Sequence, residues 1–226
     1  MKLLLFVLLF PLTVAAQQTP FVLRGQIGHL GSDCQLLLSY LSNGKEISDS
    51  THLQDGKFEF KGTINDVSDA LMILRTPQNI SALPLDAILF YIEKDTMELI
   101  GKDSLVTATF TAGAVNQAYQ ELKARLKPIR DKQKNIYREY TSAPLEARHL
   151  PVFQSSIADE YTITRNDEKQ VYLSYAAAHP NSIISVVALQ WYANGVPDTK
   201  ADSLYQLLSP AVKSSSKGKA FGMLLK

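Results

Sequence analysis

Between residues 21 and 113, apolar and polar positions alternate in short runs broken by turn residues. Phe21–Ile27, Gln35–Leu41, Ile47–Leu53 and Phe58–Gly62 read as strands, as do Ala70–Arg75, Ile88–Glu93, Met97–Ile100 and Leu105–Thr111. Phe58-Glu59-Phe60-Lys61 shows the pattern most plainly, because a strand with one wet face alternates at a period of two. Asn43-Gly44 and Asp55-Gly56 supply the residue pairs that tight hairpin turns require, and Lys94-Asp95-Thr96 is a third hairpin candidate. About eight short strands at this spacing predict an antiparallel β-sandwich or a barrel-like domain.

The period changes at Gly113. Val115, Tyr119, Leu122, Leu126, Ile129, Ile136 and Tyr140 alternate in steps of four and three, with one beat missed at Gln133. This predicts a long amphipathic helix with a heptad-like seam, kinked or divided at Pro128. Thr141–Pro151 reads as a loop, and a second long helix is expected over Val152–Ala178. Then comes His179-Pro180-Asn181-Ser182, where Pro180 breaks the chain and Asn181 or Ser182 can cap a helix. Ile183–Tyr192 is strongly apolar and too short to span a bilayer, so it predicts a buried core helix. Asn194-Gly195 ends it, and Asp198 or Thr199 caps a short helix that Pro210 closes. Ser214–Lys219 reads as flexible and polar, and Ala220–Leu225 as a further apolar helical face. The fold class is therefore α+β, a β-sandwich domain over 17–113 followed by a helical domain over 114–226.

The first sixteen residues change the compartment. Met1-Lys2, apolar Leu3–Val14 and small Ala15-Ala16 have the form of a cleaved signal peptide, with cleavage near Ala16. The residue directly after that point is Gln17 and not Cys, so no lipoprotein anchor is expected, and no later run is long enough for a transmembrane segment. Without Lys2, the 22 remaining Lys and Arg equal the 22 Asp and Glu. A neutral exported chain argues against a nucleic-acid or polyanion binder.

Candidate chemistry is sparse. Cys34 is the single cysteine, which excludes an internal disulfide and a Cys-x-x-Cys pair. Before Leu36-Leu37-Leu38 it reads as a buried, inert thiol. His29, Cys34 and His52 could form a metal site only by converging, since none has a ligand-pair spacing. His179 is placed to meet the C-terminal dipole of the second long helix. There is no nucleophile elbow, phosphate loop or dinucleotide fingerprint. The charged side of the first long helix reads as a solvated face of mixed sign. Trp191 and the ten tyrosines are expected to serve core packing rather than a ligand platform. Asn79-Ile80-Ser81 fits a glycosylation sequon.

The order of four strings is informative. They are Asp55-Gly-Lys-Phe-Glu-Phe-Lys-Gly62, Tyr91-Ile-Glu-Lys-Asp-Thr-Met97, the Gly113/Asn116/Tyr119 helix start, and His179-Pro-Asn-Ser-x-x-Ser185. Together they resemble the N-terminal domain of unknown function of exported thiol:disulfide interchange proteins, of the thioredoxin-like, peroxiredoxin-related group. The likeness covers about residues 20–226. In that family a thioredoxin-fold domain with a Trp-Cys-x-x-Cys site follows the helical region. No such motif stands in this sequence, so the resemblance implies a redox context and no redox activity.

The expected function is that of a non-catalytic periplasmic accessory or binding module without a cofactor. The resemblance implies a protein partner, either a thioredoxin-fold protein or a second copy. Phe221, Leu224 and Leu225 are the candidate partner contacts, as apolar residues near the last position of the sequence. Two alternatives stand beside it. One is a truncated thiol:disulfide oxidoreductase whose redox domain is missing or encoded downstream. The other is an unrecognised hydrolase or carbohydrate-binding sandwich.

Overall fold

The computed structural model describes residues 18–78 and 84–225. The expected signal peptide and the Asn79 sequon lie outside the described residues. Eight strands form two four-stranded sheets. The first contains β4 (Lys57–Ile64), β1 (Thr19–Ile27), β7 (Asp95–Gly101) and β8 (Thr109–Ala112), in that order. The second contains β3 (Lys45–His52), β2 (Gln35–Ser42), β5 (Ser68–Arg75) and β6 (Asp86–Ile92). Alternate side chains point inward, and both sheets feed one core that includes Leu23, Phe60, Met97 and Leu99 from the first and Leu36, Leu38, Met72 and Leu74 from the second. The expected sandwich is present.

Its connections differ from the expected ones in three places. Asn43 and Gly44 have positive φ (54° and 69°) and close the β2–β3 hairpin, as their type predicts. Asp55 and Gly56 also have positive φ (49° and 74°), but the strands they join lie in different sheets, linked only by a Gln54–Lys57 bridge. The Asp95 turn likewise carries the chain from β6 in one sheet to β7 in the other. Both are corners and not hairpins, because turn chemistry sets a local reversal and does not choose the sheet that the next strand joins. The third difference follows from these corners. β7 enters beside β1 in parallel, so the sandwich is antiparallel at every strand pair except β1–β7.

The helical half begins with α1 (Ala114–Ser142), one undivided helix that contains Pro128. Pro128 cannot donate to the Ala124 carbonyl, but both residues are exposed, so water can satisfy that oxygen. The expected loop after it holds a single helical turn, α2 (Leu145–Arg148). α3 (Pro151–Ala178) returns antiparallel along α1, and α4 (Ile183–Ala193) follows, with Ser182 accepting a capping bond from the Ile184 N–H. α4 is the centre of a second core that includes Leu122, Leu126, Tyr172, Tyr175, Val186, Val187 and Leu189. α5 (Thr199–Leu207) is capped by Asp198.

The chain's last segment corrects the sequence reading. Pro210 does not close a helix but opens α6 (Pro210–Ser214), with Ser209 as its cap. The serine-rich string is not a flexible linker. Ser215 ends α6 and caps α7 (Ser216–Leu224), where Gly218 is buried against the Val212 carbonyl. Serines favour such caps because their hydroxyls bond the free N–H groups of a helix start.

α4 is only eleven residues long, whereas α1 and α3 have 29 and 28. At 1.5 Å per residue the two long helices run roughly 40 Å, about 25 Å beyond what α4 can cover. Among the described residues between 127 and 171, only Ile136, Ile157 and Thr164 are buried. The α1–α3 hairpin therefore projects as a two-helix arm.

A glycine in β1 tests the sandwich. A Cβ on Gly25 would lie 2.0 Å from the Leu99 carbonyl oxygen of β7 and 2.9 Å from the Phe58 ring. The obstacle is backbone in a paired strand and cannot swing away. Gly25→Ala should destabilise the protein by about 3 kcal/mol or more, read as a lower midpoint in urea with an unchanged slope.

Candidate functional site

Both sheets end in an edge strand on the same side of the sandwich, β8 in one and β6 in the other. Buried edge strands leave N–H and C=O groups without partners unless another element supplies them. The first turns of α1 do so with carboxamides. The Asn116 Oδ1 accepts from the Tyr91 N–H of β6 (2.9 Å), and its Nδ2 donates to the Tyr91 carbonyl (2.7 Å). One turn later, the Gln120 Oε1 accepts from the Phe110 N–H of β8 (2.5 Å), and its Nε2 donates to the Phe110 carbonyl (3.1 Å). Each amide presents one donor and one acceptor to one strand residue, as the next strand would. Asn116 is fully buried, although the hydrophobic pattern gives no sign of it.

Glu93 completes the joint. Its carboxylate accepts from the Val115 N–H (2.9 and 3.1 Å), the Asn116 N–H (3.3 Å) and the Asn116 side chain (3.4 Å). It thus caps α1 from outside, where the helix dipole favours a negative charge. Burial nonetheless pushes its pKa up, and the N–H bonds only partly offset this. Gly113 has φ 107°, and a Cβ there would meet Glu93 Oε1 at 2.9 Å, so only glycine fits the approach. A cavity of about 280 Å³ opens beside it, lined by Thr19, Ile64, Asp66, Glu93, Lys94 and Val115 among others.

Beyond this joint, α1 presents an aromatic and cationic face. Tyr91 packs edge-on to Tyr119 (5.1 Å), and Tyr119 and Tyr172 flank Trp191 of α4 (6.0 and 5.7 Å). Lys217 lies over Tyr91, Lys123 over Tyr119 (4.6 Å) and Arg130 over Trp191 (5.9 Å). Lys217 pairs with Asp69, and Arg130 with Glu168 (3.5 Å). Burial, followed by the bond to Glu168, pushes the Tyr172 phenol up to about 12. Trp191 is not a core residue as its apolar run suggested, for 37% of it is exposed. It sits between Tyr119 of α1 and Tyr172 of α3 with Arg130 over the ring, and the rest of the side chain reaches water.

The residues singled out as partner contacts separate. Phe221 is fully buried against Tyr205, so it supports the helical core and cannot touch a partner; its expected role is corrected. Leu225 packs against the same core, and Leu224 is 53% exposed. Cys34 is buried, and burial first and Asp33 second raise its thiol pKa. His29 faces Asp55 (3.0 Å), and no group of three or more metal-ligating side chains converges among the described residues. His179 forms the C-terminal cap of α3, stacked on Tyr175 and 3.4 Å from Glu121. Among the described residues no helix is long and apolar enough to cross a membrane.

Residues 21–119 match the family described as a domain of unknown function, DUF4369. The matched segment runs past β8 and includes Glu93, Gly113, Asn116 and Tyr119, and it ends one residue before Gln120. No curated protein and no solved structure matches the chain.

Two outcomes test the joint. Asn116→Leu keeps the branch at Cγ and orphans the Tyr91 N–H and carbonyl, at a cost of about 1–3 kcal/mol for each group; chemical denaturation should show it, with early loss of the α1 amide protection in hydrogen exchange. The second concerns pH. The folded chain holds the Glu93 proton more tightly than the unfolded chain, so its contribution is full below the ordinary carboxylate range and is lost as pH rises through the raised folded value. Measured against Glu93→Gln, wild-type stability should therefore fall across that window. A relative stability that climbs with pH would show that the N–H bonds outweigh burial.

Proposed function

We propose that the chain is an exported, non-catalytic accessory module that binds a protein partner through the α1–α3 arm. The observation that carries this reading is the arm itself. Its far end leaves Tyr137, Leu145, Leu150 and Val152 exposed, Val152 by 75%. Isolated apolar residues on a surface need no explanation, but here they crowd one projecting end. That end is ordered from within, since Tyr140 stacks on Phe153 and Arg148 lies over Tyr140. An ordered apolar tip loses little conformational entropy when it docks. The amide joint fixes the base of the arm to the sandwich, which serves as its mount. The resemblance to the N-terminal region of thiol:disulfide interchange proteins supports a thioredoxin-fold protein as the partner. The apolar segment Leu3–Val14 followed by Ala15-Ala16 supports export to the periplasm.

A photo-crosslinking residue at Val152, in the full chain produced in a Gram-negative host, tests the arm. The expected product is an adduct with a thioredoxin-fold protein at Val152 and none at the control position Lys45, on the exposed strand β3. Adducts with a second copy alone would replace the partner by self-association, and equal adducts at both positions would end the proposal. The same cells test export, because the periplasmic fraction should hold a chain that begins at or near Gln17. Recovery of residues 1–16 on cytosolic protein alone would contradict it.

A further inference from the structure

Four of the seven cations of α1 have an acid beside them among the described residues, and of the other three Lys132 and Arg138 are exposed to water while Lys123 is partly buried. Arg125 pairs with Glu121 (2.6 Å), Lys127 and Lys134 pair with Asp131, and Arg130 pairs with Glu168. Lys123 has no ion pair and no hydrogen bond among the described residues; its only partner is the Tyr119 ring. It is also partly buried, and burial together with nearby Arg130 pulls its pKa down. A half-buried ammonium beside a second cation costs stability unless an anion meets it. The partly exposed Trp191 ring stands within the same cluster, and the indole N–H donates to no acceptor among the described residues.

We infer that Lys123, Tyr119 and Trp191 form a binding site for a carboxylate carried on a short apolar peptide segment, with Arg130 strengthening the field. The carboxylate supplies the charge that Lys123 lacks, and the flat indole takes the apolar neighbour. Lys123, Arg130 and Tyr137 are spaced by seven residues and lie along one side of α1, so an extended segment can continue from Trp191 toward the end of the arm. A peptide fits better than a phosphate or an acidic sugar. Arg130 already turns its Nε and Nη2 edge to Glu168 and Tyr172, so the edge that makes the usual bidentate fork to a phosphate is engaged and the Glu168 carboxylate beside it disfavours a doubly charged anion. The Tyr172 hydroxyl is engaged by Glu168, which leaves few groups to read sugar hydroxyls. This site rests on the reading of the chain as a partner-binding module, and names the chemistry of the segment it takes.

Trp191 is the only tryptophan in the chain, so its fluorescence reports on this site alone. The probe is an acetylated and amidated hexapeptide of alternating Glu and Leu, titrated into the full-length mature protein at low salt. The expected result is a saturable change in Trp191 emission that weakens about tenfold in Lys123→Met, which keeps the aliphatic stem. Raised salt should weaken it further. Lys123→Met should melt at the same temperature as wild type or higher, since it removes an unmatched charge. The peptide with Gln in place of Glu should give no saturable change. An equal response in Lys123→Met, an equal response to sulfate, a response to glucuronate without one to the peptide, or no saturable response at all would each overturn the site. Because the crosslink at Val152 reads the far end of the arm, its loss and the loss of this response are separate results.

Discussion

The hydrogen-bonding demand of two sheet edges is the constraint on which the rest of this structure depends. A two-sheet sandwich has open edges, and here β6 and β8 bring two of them together on one side. Asn116 and Gln120, four residues apart on α1, meet the two edges with one amide each. The geometry is demanding, because each amide must present its donor and its acceptor to the same backbone residue. It fixes the rotation of α1 about its axis as well as its height against the sandwich. Glu93 and Gly113 fix the angle at which the helix leaves. Everything that follows inherits that direction: α3 packs on α1, α4 packs on both, and Trp191 falls beside Tyr119.

A second link holds the other end of the helical core. Asp66 accepts from the Ser216 N–H (2.5 Å) at the start of α7, and Asp69 pairs with Lys217. The turn between β4 and β5 thus grips the last helix while β6 and β8 grip the first. Tyr91 reaches from β6 into the helical core, so the two halves share side chains as well as polar bonds. A rigid base and a projecting arm result from one set of contacts, since α4 and its neighbours cover α1 and α3 only near the sandwich.

Much of this architecture was legible in the sequence, and the gaps have physical causes. Alternation placed the strands within a few residues, and seam spacing found α1 and α3. The Asn43-Gly44 turn followed from its demand for positive φ. The corners at Asp55 and Asp95 were read as hairpins because a local turn carries no information about the destination of the strand after it. Ser214–Lys219 looked like a linker because capping serines and linker serines have the same composition. Phe221 looked exposed because its partners, Tyr205 and the α4 face, lie far from it in sequence or across a break. Asn116, Gln120 and Glu93 were invisible as a group. Hydrophobic pattern finds what water rejects, and these side chains are buried by pairing instead.

The same distinction explains the charged side of α1. Read as a sequence, its alternating signs describe a solvated face, and for Arg125, Lys127 and Lys134 the structure agrees, with acids one turn away. Such exposed pairs contribute little to stability and tolerate exchange. Lys123 departs from them because its neighbourhood was made by the fold. Tyr119 and Lys123 are neighbours one turn apart on α1, the amide joint sets the rotation that brings this side of the helix against Tyr91 and Trp191, and the partial burial that follows gives one ammonium a desolvation cost. A solvated residue at 123 would avoid that cost, and the i, i+4 pairs on the same helix show how readily acids are placed beside bases. A half-buried, unmatched cation next to a partly exposed indole is therefore a point where the balance of α1 is incomplete, and where a group from outside would complete it.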